Sequence, residues 1–206
     1  MIPEALQGRA DLYQGSGAAA PVAAGIPTGI RGLDERLPWG GWPRALTEIL
    51  PEGEGIGELR LLLPALSALT REGKWLAWVN PPHVPYAPAL SAGNVDLARM
   101  MLVQPDDPLE ALWAAEEALR SPVCGAVLFW PGRIDDKQLR RLQRAAEAGG
   151  TWAVLFREPE AARSPSPARL RLRLRLSATA DGLNLHVLKC LGGWTGTLRL
   201  TLPNAA

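Results

Sequence analysis

Residues 50–57, with the sequence LPEGEGIG, have the glycine spacing of a loop that could hold phosphate groups. They lie between a strand-like run, ALTEIL at 45–50, and an apolar helix-like run that begins near residue 57. Backbone N–H groups at Gly53, Gly55 and Gly57 could surround phosphate oxygens. A working loop also needs a lysine on the outer phosphates and a hydroxyl for magnesium. Those two positions hold Ile56 and Gly57, so the loop has lost its phosphate chemistry.

The charge of this segment also disfavours a nucleotide. Glu52, Glu54 and Glu58 place negative charge where a polyphosphate would lie. A carboxylate about 4 Å from a phosphate charge costs roughly 1–4 kcal/mol, depending on solvent screening. We therefore expect no bound cofactor. The alternative interpretation is that the segment is only a turn that joins a strand to a helix.

Two further positions lack the residues that nucleotide hydrolysis would require. Trp130 and Pro131 end the apolar run VCGAVLFW, where an aspartate would bind magnesium. Asn80 follows the run KWLAWV, where a glutamate would activate water. His83 and His186 have no cysteine or acid at metal-ligand spacing. The sequence therefore predicts a protein that is not an enzyme, with no catalytic residue and no metal site.

Composition places the chain among globular proteins. It has 206 residues, of which 47% are hydrophobic and 21% charged, enough for one sizeable domain. The net charge of +1 gives no strong attraction to nucleic acid or membranes. Cys124 and Cys190 stand apart in apolar runs and are expected to be buried thiols in a reducing compartment. No run is long enough for a membrane span and no signal pattern opens the chain, so we expect a cytoplasmic protein.

The order of elements predicts an α/β fold. Residues 1–26 are predicted to be a flexible N-terminal arm, and residues 27–206 one domain. Strand-like and helix-like runs then alternate, which indicates a mostly parallel sheet flanked by helices. Leu109, Leu112, Trp113 and Leu119 are predicted to form the buried face of one of these helices. Near the C-terminus, alternating strands flank Asp181-Gly182 and predict an antiparallel hairpin that extends one edge of the sheet.

Two sets of residues could bind a partner. Arginines alternate with leucines, and strand periodicity puts all of them on one face; they are Arg169, Arg171, Arg173 and Arg175. They indicate either a charged, solvated edge strand or a surface for an acidic partner or nucleic-acid backbone. Trp39, Trp42 and Trp194 lie in Gly/Pro-rich loops and either contact a partner or cover the ends of the sheet.

Longer segments carry a family resemblance. PTGIRGLDERLPWGGWPRALTEIL at 27–50 resembles the opening of the RecA/RadA superfamily core, and 76–119 is similar to the stretch that follows a RecA core strand. GELRLLLPAL, GKWLAWVNPPHVPYAPAL, LRRLQRAAEAGG and HVLKCLGG together resemble the ImuA family over about residues 27–193. GELRLLLPALSALTREGKWLAWVNPP also resembles SulA, a cell-division inhibitor on the same scaffold.

The resemblance implies a RecA-like domain over 27–206 with a degenerate phosphate loop. The ImuA likeness implies a non-hydrolysing adaptor in SOS-induced translesion DNA synthesis. Its partners would be an ImuB-like inactive Y-family polymerase subunit, RecA and an error-prone polymerase, with direct DNA contact left open. The SulA likeness implies instead an inhibitor that binds FtsZ. A residual ATPase is the third alternative, which Ile56 disfavours.

Overall fold

A computed structural model of the chain describes residues 24–53, 55–176 and 182–201. The described strands form one eight-stranded sheet in the order β3-β2-β4-β5-β1-β6-β7-β8. The strands are β1 (Leu46–Pro51), β2 (Trp75–Val79), β3 (Met100–Val103), β4 (Cys124–Phe129), β5 (Trp152–Phe156), β6 (Leu170–Leu176), β7 (Gly182–Cys190) and β8 (Gly196–Thr201). The α-helices are α1 (Arg31–Asp34), α2 (Glu58–Arg71), α3 (Ala87–Ala92), α4 (Pro108–Arg120) and α5 (Asp136–Gly149), and 3₁₀ helices lie at Leu97–Arg99 and Pro159–Arg163.

Strands β1 to β5 form the parallel half of the sheet, in which every pairing is parallel. Their sequences are nearly continuous apolar runs because helices cover both faces; all six residues of β4, for example, are buried. One face packs on α2 and the N-terminal segment. The other face packs on α4 and α5. The predicted mostly parallel sheet with flanking helices is therefore confirmed.

Strands β6 to β8 form the antiparallel half. β6 pairs in parallel with β1 on one side and antiparallel with β7 on the other. β8 then pairs antiparallel with β7. The predicted C-terminal antiparallel extension is confirmed. The interpretation of the arginine-rich strand as a solvated edge is wrong, because β6 lies inside the sheet and its partner strands bury much of it.

Local capping explains where two helices begin. The Asp107 side chain accepts a hydrogen bond from the N–H of Leu109 at 2.8 Å and begins α4. Asp135 and Gln138 form a reciprocal capping box at the start of α5, and Gly150 ends that helix in the left-handed conformation. The predicted buried face of α4 is only half right. Leu112 and Leu119 are buried, but Leu109 and Trp113 are exposed.

The N-terminal segment is held against the sheet by tryptophan. The ring of Trp42 is fully buried and stacks on that of Trp152 with centroids 5.2 Å apart. Ile26 and Trp42 form an antiparallel bridge. Gly41 permits this close approach, since a Cβ there would lie 2.1 Å from the carbonyl oxygen of Ile26. Of the predicted flexible arm, residues 24–26 are thus fixed, and residues 1–23 lie outside the described part.

Candidate functional site

A cleft opens at the carboxyl ends of β1, β2, β4 and β5, the edge where parallel α/β sheets usually bind ligands. Its volume is about 630 Å³. The loop after β1 forms one wall and the segment after β5 forms the opposite wall. The polar side chains around it include Glu52, Glu58, Asn80, His83, Arg157 and Glu158.

The loop that follows β1 has the path of a phosphate loop without its reactive groups. Gly57 has φ 96° and serves as the N-cap of α2, so the helix N-terminus is presented to the cleft. Ile56, at the position of the phosphate-binding lysine, turns inward and is buried in the hydrophobic core. Glu58 lies in the first helical turn, where a negative charge interacts favourably with the helix dipole. One of its carboxylate oxygens is buried and has no hydrogen-bond partner among the described residues.

The acidic loop is partly neutralised by arginines from β6. Arg175 Nε lies 2.5 Å from a carboxylate oxygen of Glu52, and Arg173 Nε lies 3.6 Å from the other. The negative charge of Glu52 is therefore offset by residues that are distant in sequence. Strand β6 neighbours β1 in the sheet, a pairing that the sequence did not indicate. These arginines are engaged with the loop rather than directed into the cleft.

The opposite side of the cleft is aromatic where a metal-binding aspartate would be needed. Trp130 follows β4 and stacks on Phe156 at 4.3 Å and on Trp78 at 5.7 Å. Asn80 follows β2 with φ 48°, a left-handed conformation that asparagine tolerates. No group of three or more metal-ligating side chains occurs within residues 24–53, 55–176 and 182–201. Trp130 and Asn80 thus line the cleft at the positions where the sequence lacks an aspartate and a glutamate.

A buried ion cluster anchors the segment after β5. Glu48 of β1 is fully buried, and its carboxylate accepts a hydrogen bond from Arg157 at 2.6 Å and another from Arg171 Nε. Arg171 also donates to the carbonyl oxygens of Ala161 and Ser164. Both arginines are therefore committed to structure. Arg157 lines the cleft without offering a free charge to a ligand.

The predicted partner-binding residues are not gathered into one site. Trp39 and Trp42 are buried, which favours the alternative that they cover the end of the sheet over the one that they contact a partner. Trp194 is 39% exposed in the turn between β7 and β8. Arg169 forms a 2.6 Å ion pair with Glu147 at the surface. Arg171 is buried, whereas Arg169 and Arg173 are partly exposed and Arg175 is exposed.

Four exposed apolar side chains were missed by sequence reasoning. They are Met101 and Leu102 on β3, which point to opposite faces of the sheet, and Leu109 and Trp113 on one face of α4, and we name this region the β3-edge surface. Trp113 is 63% exposed. The run MMLV is typical of a buried strand, and the sequence does not show that β3 ends the sheet. The spacing of Leu109 and Trp113, four residues apart on one helix face, was a usable signal.

Burial perturbs three titratable groups. Desolvation raises the pKa of the Cys124 thiol to about 11. The same cause raises the pKa of Cys190. Burial, with a smaller effect of the Arg171 charge, lowers the pKa of Lys189. Both cysteines are free and buried, as expected from the sequence, and their raised pKa values make them poor nucleophiles.

The strand order and the flanking helices define the chain as an α/β domain with a RecA-like fold. The crystal structure of the RadB recombinase superimposes with a TM-score of 0.70 and covers 86% of this chain and 96% of RadB. Its sequence identity is 15%, so this likeness concerns the fold alone.

Residues 46–153 match the family described as "Cell division inhibitor SulA". This is more than half of the chain, and the protein belongs to the SulA family. Curated relatives named cell division inhibitor SulA include those of Pectobacterium atrosepticum, 34% identical over 103 residues, and Edwardsiella piscicida, 34% identical over 108 residues. These alignments cover 50% and 51% of this chain and 61% and 64% of the relatives. The chain therefore spans less than two thirds of their length.

The family assignment corrects the functional prediction. Relatives named as division inhibitors contradict the predicted adaptor role in translesion synthesis and DNA repair. The predicted ImuB-like polymerase subunit, RecA and error-prone polymerase are likewise wrong as partners. Within the described residues, no helix combines the length and apolarity that a bilayer span requires.

Proposed function

We propose that this protein inhibits cell division by binding FtsZ and preventing its polymerisation. The observation that carries the proposal is the SulA family match over residues 46–153. That range begins with β1 and reaches the start of β5, so it contains nearly the whole parallel half of the sheet. FtsZ is the partner that the SulA resemblance implies.

We infer further that the protein acts without catalysis, in the cytoplasm where FtsZ assembles. The cleft supports a non-enzymatic role, because Ile56 is buried in the core and Arg157 is committed to Glu48. An inhibitor of polymerisation needs a surface that occupies the partner rather than a reactive group. The scaffold would then serve to hold such a surface rigid.

The β3-edge surface is the best-supported contact for FtsZ within the matched region. Leu109 and Trp113 share one exposed face of α4, and exposed apolar side chains in such a group are typical of interaction sites. Trp113 is the largest of them, and tryptophan is enriched among the residues that dominate binding energy. Leu109 lies one helical turn before it and is 65% exposed.

An FtsZ sedimentation assay with GTP tests this proposal. Adding the purified protein in increasing amounts should lower the pelleted fraction of FtsZ until little remains near equimolar concentration. A double variant, Leu109→Ser with Trp113→Ser, should weaken inhibition by about tenfold or more if these side chains dominate the interface. Both residues are exposed, so we expect the fold to tolerate the change within about 0.5 kcal/mol each.

Trp194→Ser is the matched control, because it removes an exposed tryptophan at the opposite end of the sheet. It should leave inhibition unchanged. If the unmodified protein leaves FtsZ polymers intact at equimolar concentration, the proposed function is wrong. If both variants inhibit equally well, the function stands but the assignment of the surface fails.

The finer resemblance to the ImuA family stays a prediction about ancestry. It rests on segments such as HVLKCLGG that lie outside residues 46–153. This prediction can be tested by identifying the neighbouring genes and asking whether they are typical of SulA-type or of ImuA-type operons. The adaptor role that the ImuA resemblance implies is not proposed for this protein.

A further inference from the structure

The antiparallel half carries a polar, cationic face that is distinct from the cleft and from the β3-edge surface. Residues opposite one another in antiparallel strands point to the same side of the sheet. One row across β6, β7 and β8 consists of Arg173, His186 and Thr197. The next row consists of Arg175, Asn184 and Arg199.

No acidic residue occurs in β6, β7 or β8. Glu52 is the carboxylate that reaches the two rows, and it is shared by Arg173 and Arg175. Arg199 forms no ion pair with any residue that the structure describes. Three arginines therefore face one carboxylate, and the face keeps an excess of positive charge.

The same strands present a free edge. β8 is the last strand of the described sheet, and no described strand pairs with its outer side. Its sequence GTLRLT alternates, with Thr197 and Arg199 on the polar face and Leu198 and Leu200 on the apolar side. The unpaired N–H and C=O groups of such an edge are a template for an added strand.

We propose that β8 binds an extended acidic polypeptide segment as a ninth strand of the sheet. The segment's carboxylates would lie beside Arg199, and Arg175, two strands further in, would add to the positive potential of the same face. The segment's alternate apolar side chains would lie on the side of Leu198. The positive charge of this face favours an acidic ligand. The unpaired backbone groups of β8 favour a polypeptide over a nucleic acid, because a polypeptide can pair with them as a strand. Because β8 lies outside residues 46–153, this inference goes beyond the division-inhibitor function and does not depend on it.

The geometry favours a protein segment for two further reasons. The two rows contain no phenylalanine, tyrosine or tryptophan, and His186 is their single ring on which a nucleic-acid base could stack. The chain as a whole has a net charge of only +1, which gives little long-range attraction for a polyanion such as DNA. A short acidic strand needs only the local excess charge and the backbone of β8.

The test is fluorescence anisotropy with a labelled peptide of alternating glutamate and valine, as long as β8, at low ionic strength. The full-length protein should bind it, and added salt should weaken binding because the charged groups are exposed. The double variant Arg175→Glu with Arg199→Glu should bind about tenfold more weakly or worse, since like charges would then face each other.

The matched control is Arg36→Glu with Arg71→Glu, which makes the same change in net charge at two exposed arginines away from β8. It should bind the peptide like the unmodified protein. Equal weakening in both variants would show that only net charge matters and would overturn the proposal. Circular dichroism and a melting curve confirm that each variant is folded.

A second probe separates strand addition from simple charge attraction. The same peptide with alternate backbone nitrogens methylated keeps its charges but loses the hydrogen bonds of one strand edge. It should bind about tenfold more weakly if β8 is extended by a strand. Equal binding of the methylated peptide, or tighter binding of a single-stranded oligonucleotide that Arg175→Glu with Arg199→Glu abolishes, would overturn the proposal.

Discussion

The two halves of the sheet differ in what covers their faces, although their strands form one continuous sheet. In the parallel half, helices cover both faces and the strands are almost entirely apolar. In the antiparallel half, one face joins the core and the other carries arginine, histidine, asparagine and threonine. The sheet consequently ends in an apolar edge at β3 and a cationic edge at β8.

This difference separates two kinds of binding within one domain. The apolar β3-edge surface lies in the region that matches the SulA family, and the cationic edge lies outside it. Apolar contacts resist salt, whereas contacts between exposed charges weaken as ionic strength rises. The comparison therefore predicts two partners or two contacts that respond differently to salt.

The largest expected change in stability comes from disrupting the ion cluster that joins the two halves of the sheet. Glu48 of β1 holds Arg171 of β6 and Arg157 after β5. Glu48→Gln leaves both guanidinium groups buried without a counter-charge, so we expect a loss of about 3–5 kcal/mol in the free energy of unfolding. Urea denaturation followed by circular dichroism measures it.

Glu35→Gln is the control for that experiment. Its partner Arg31 has a side chain that is 92% exposed, and exposed ion pairs contribute little. The expected loss is at most about 0.5 kcal/mol. Comparable losses for the two variants would mean that the Glu48 cluster does not hold the halves together.

Two tryptophans test how differently the halves are packed. Trp42→Ala removes a buried ring stacked on Trp152 beneath the parallel half, and we expect a loss of about 3–5 kcal/mol. Trp194→Ala acts in the half-exposed turn before β8 and should cost no more than about 1 kcal/mol. Thermal unfolding by circular dichroism ranks them, and the reverse order would refute the assignment of the core.

The two buried cysteines are expected to give the smallest change in stability, and this change should appear only at alkaline pH. The pKa of Cys124 in the parallel half is about 11 when folded, against an ordinary value of 9.0. The unfolded chain loses this proton first as pH rises, so stability should fall between pH 9.0 and 11 by on the order of 2 kcal/mol. Cys124→Ala should remove that part of the pH dependence.

Cys190→Ala is the counterpart in the antiparallel half. Burial also raises the pKa of Cys190, so this variant should reduce the alkaline loss of stability as well, but by less. Urea denaturation over a pH series measures both. An alkaline transition that is identical in all three proteins would contradict the burial of the two thiols.

The periodicity of the sequence was sufficient to predict the strands and helices and most of their order along the chain. The helix starts at Asp107 and Asp135 are of the kind that a sequence reveals, because a capping side chain and the backbone it satisfies are neighbours in sequence. The predicted hairpin is equally local, since its two strands flank Asp181-Gly182.

Long-range pairings could not be read in this way. The contacts of Glu52 with Arg175 and of Glu48 with Arg171 join residues 123 positions apart. Nothing local distinguishes Trp42, which is buried, from Trp194, which is half exposed, since both follow glycine. The role of Trp113 was misjudged because helix periodicity shows which residues share a face but not whether a neighbour covers it.

The inward turn of Ile56 restricts which side chains this loop position can hold. A lysine here would place an ammonium group in the hydrophobic core without a counter-charge. If the lysine turned outward instead, it would leave a cavity in the core and lie near Glu52 and Glu58. The packing of the core and the charge of the cleft are therefore coupled at a single residue.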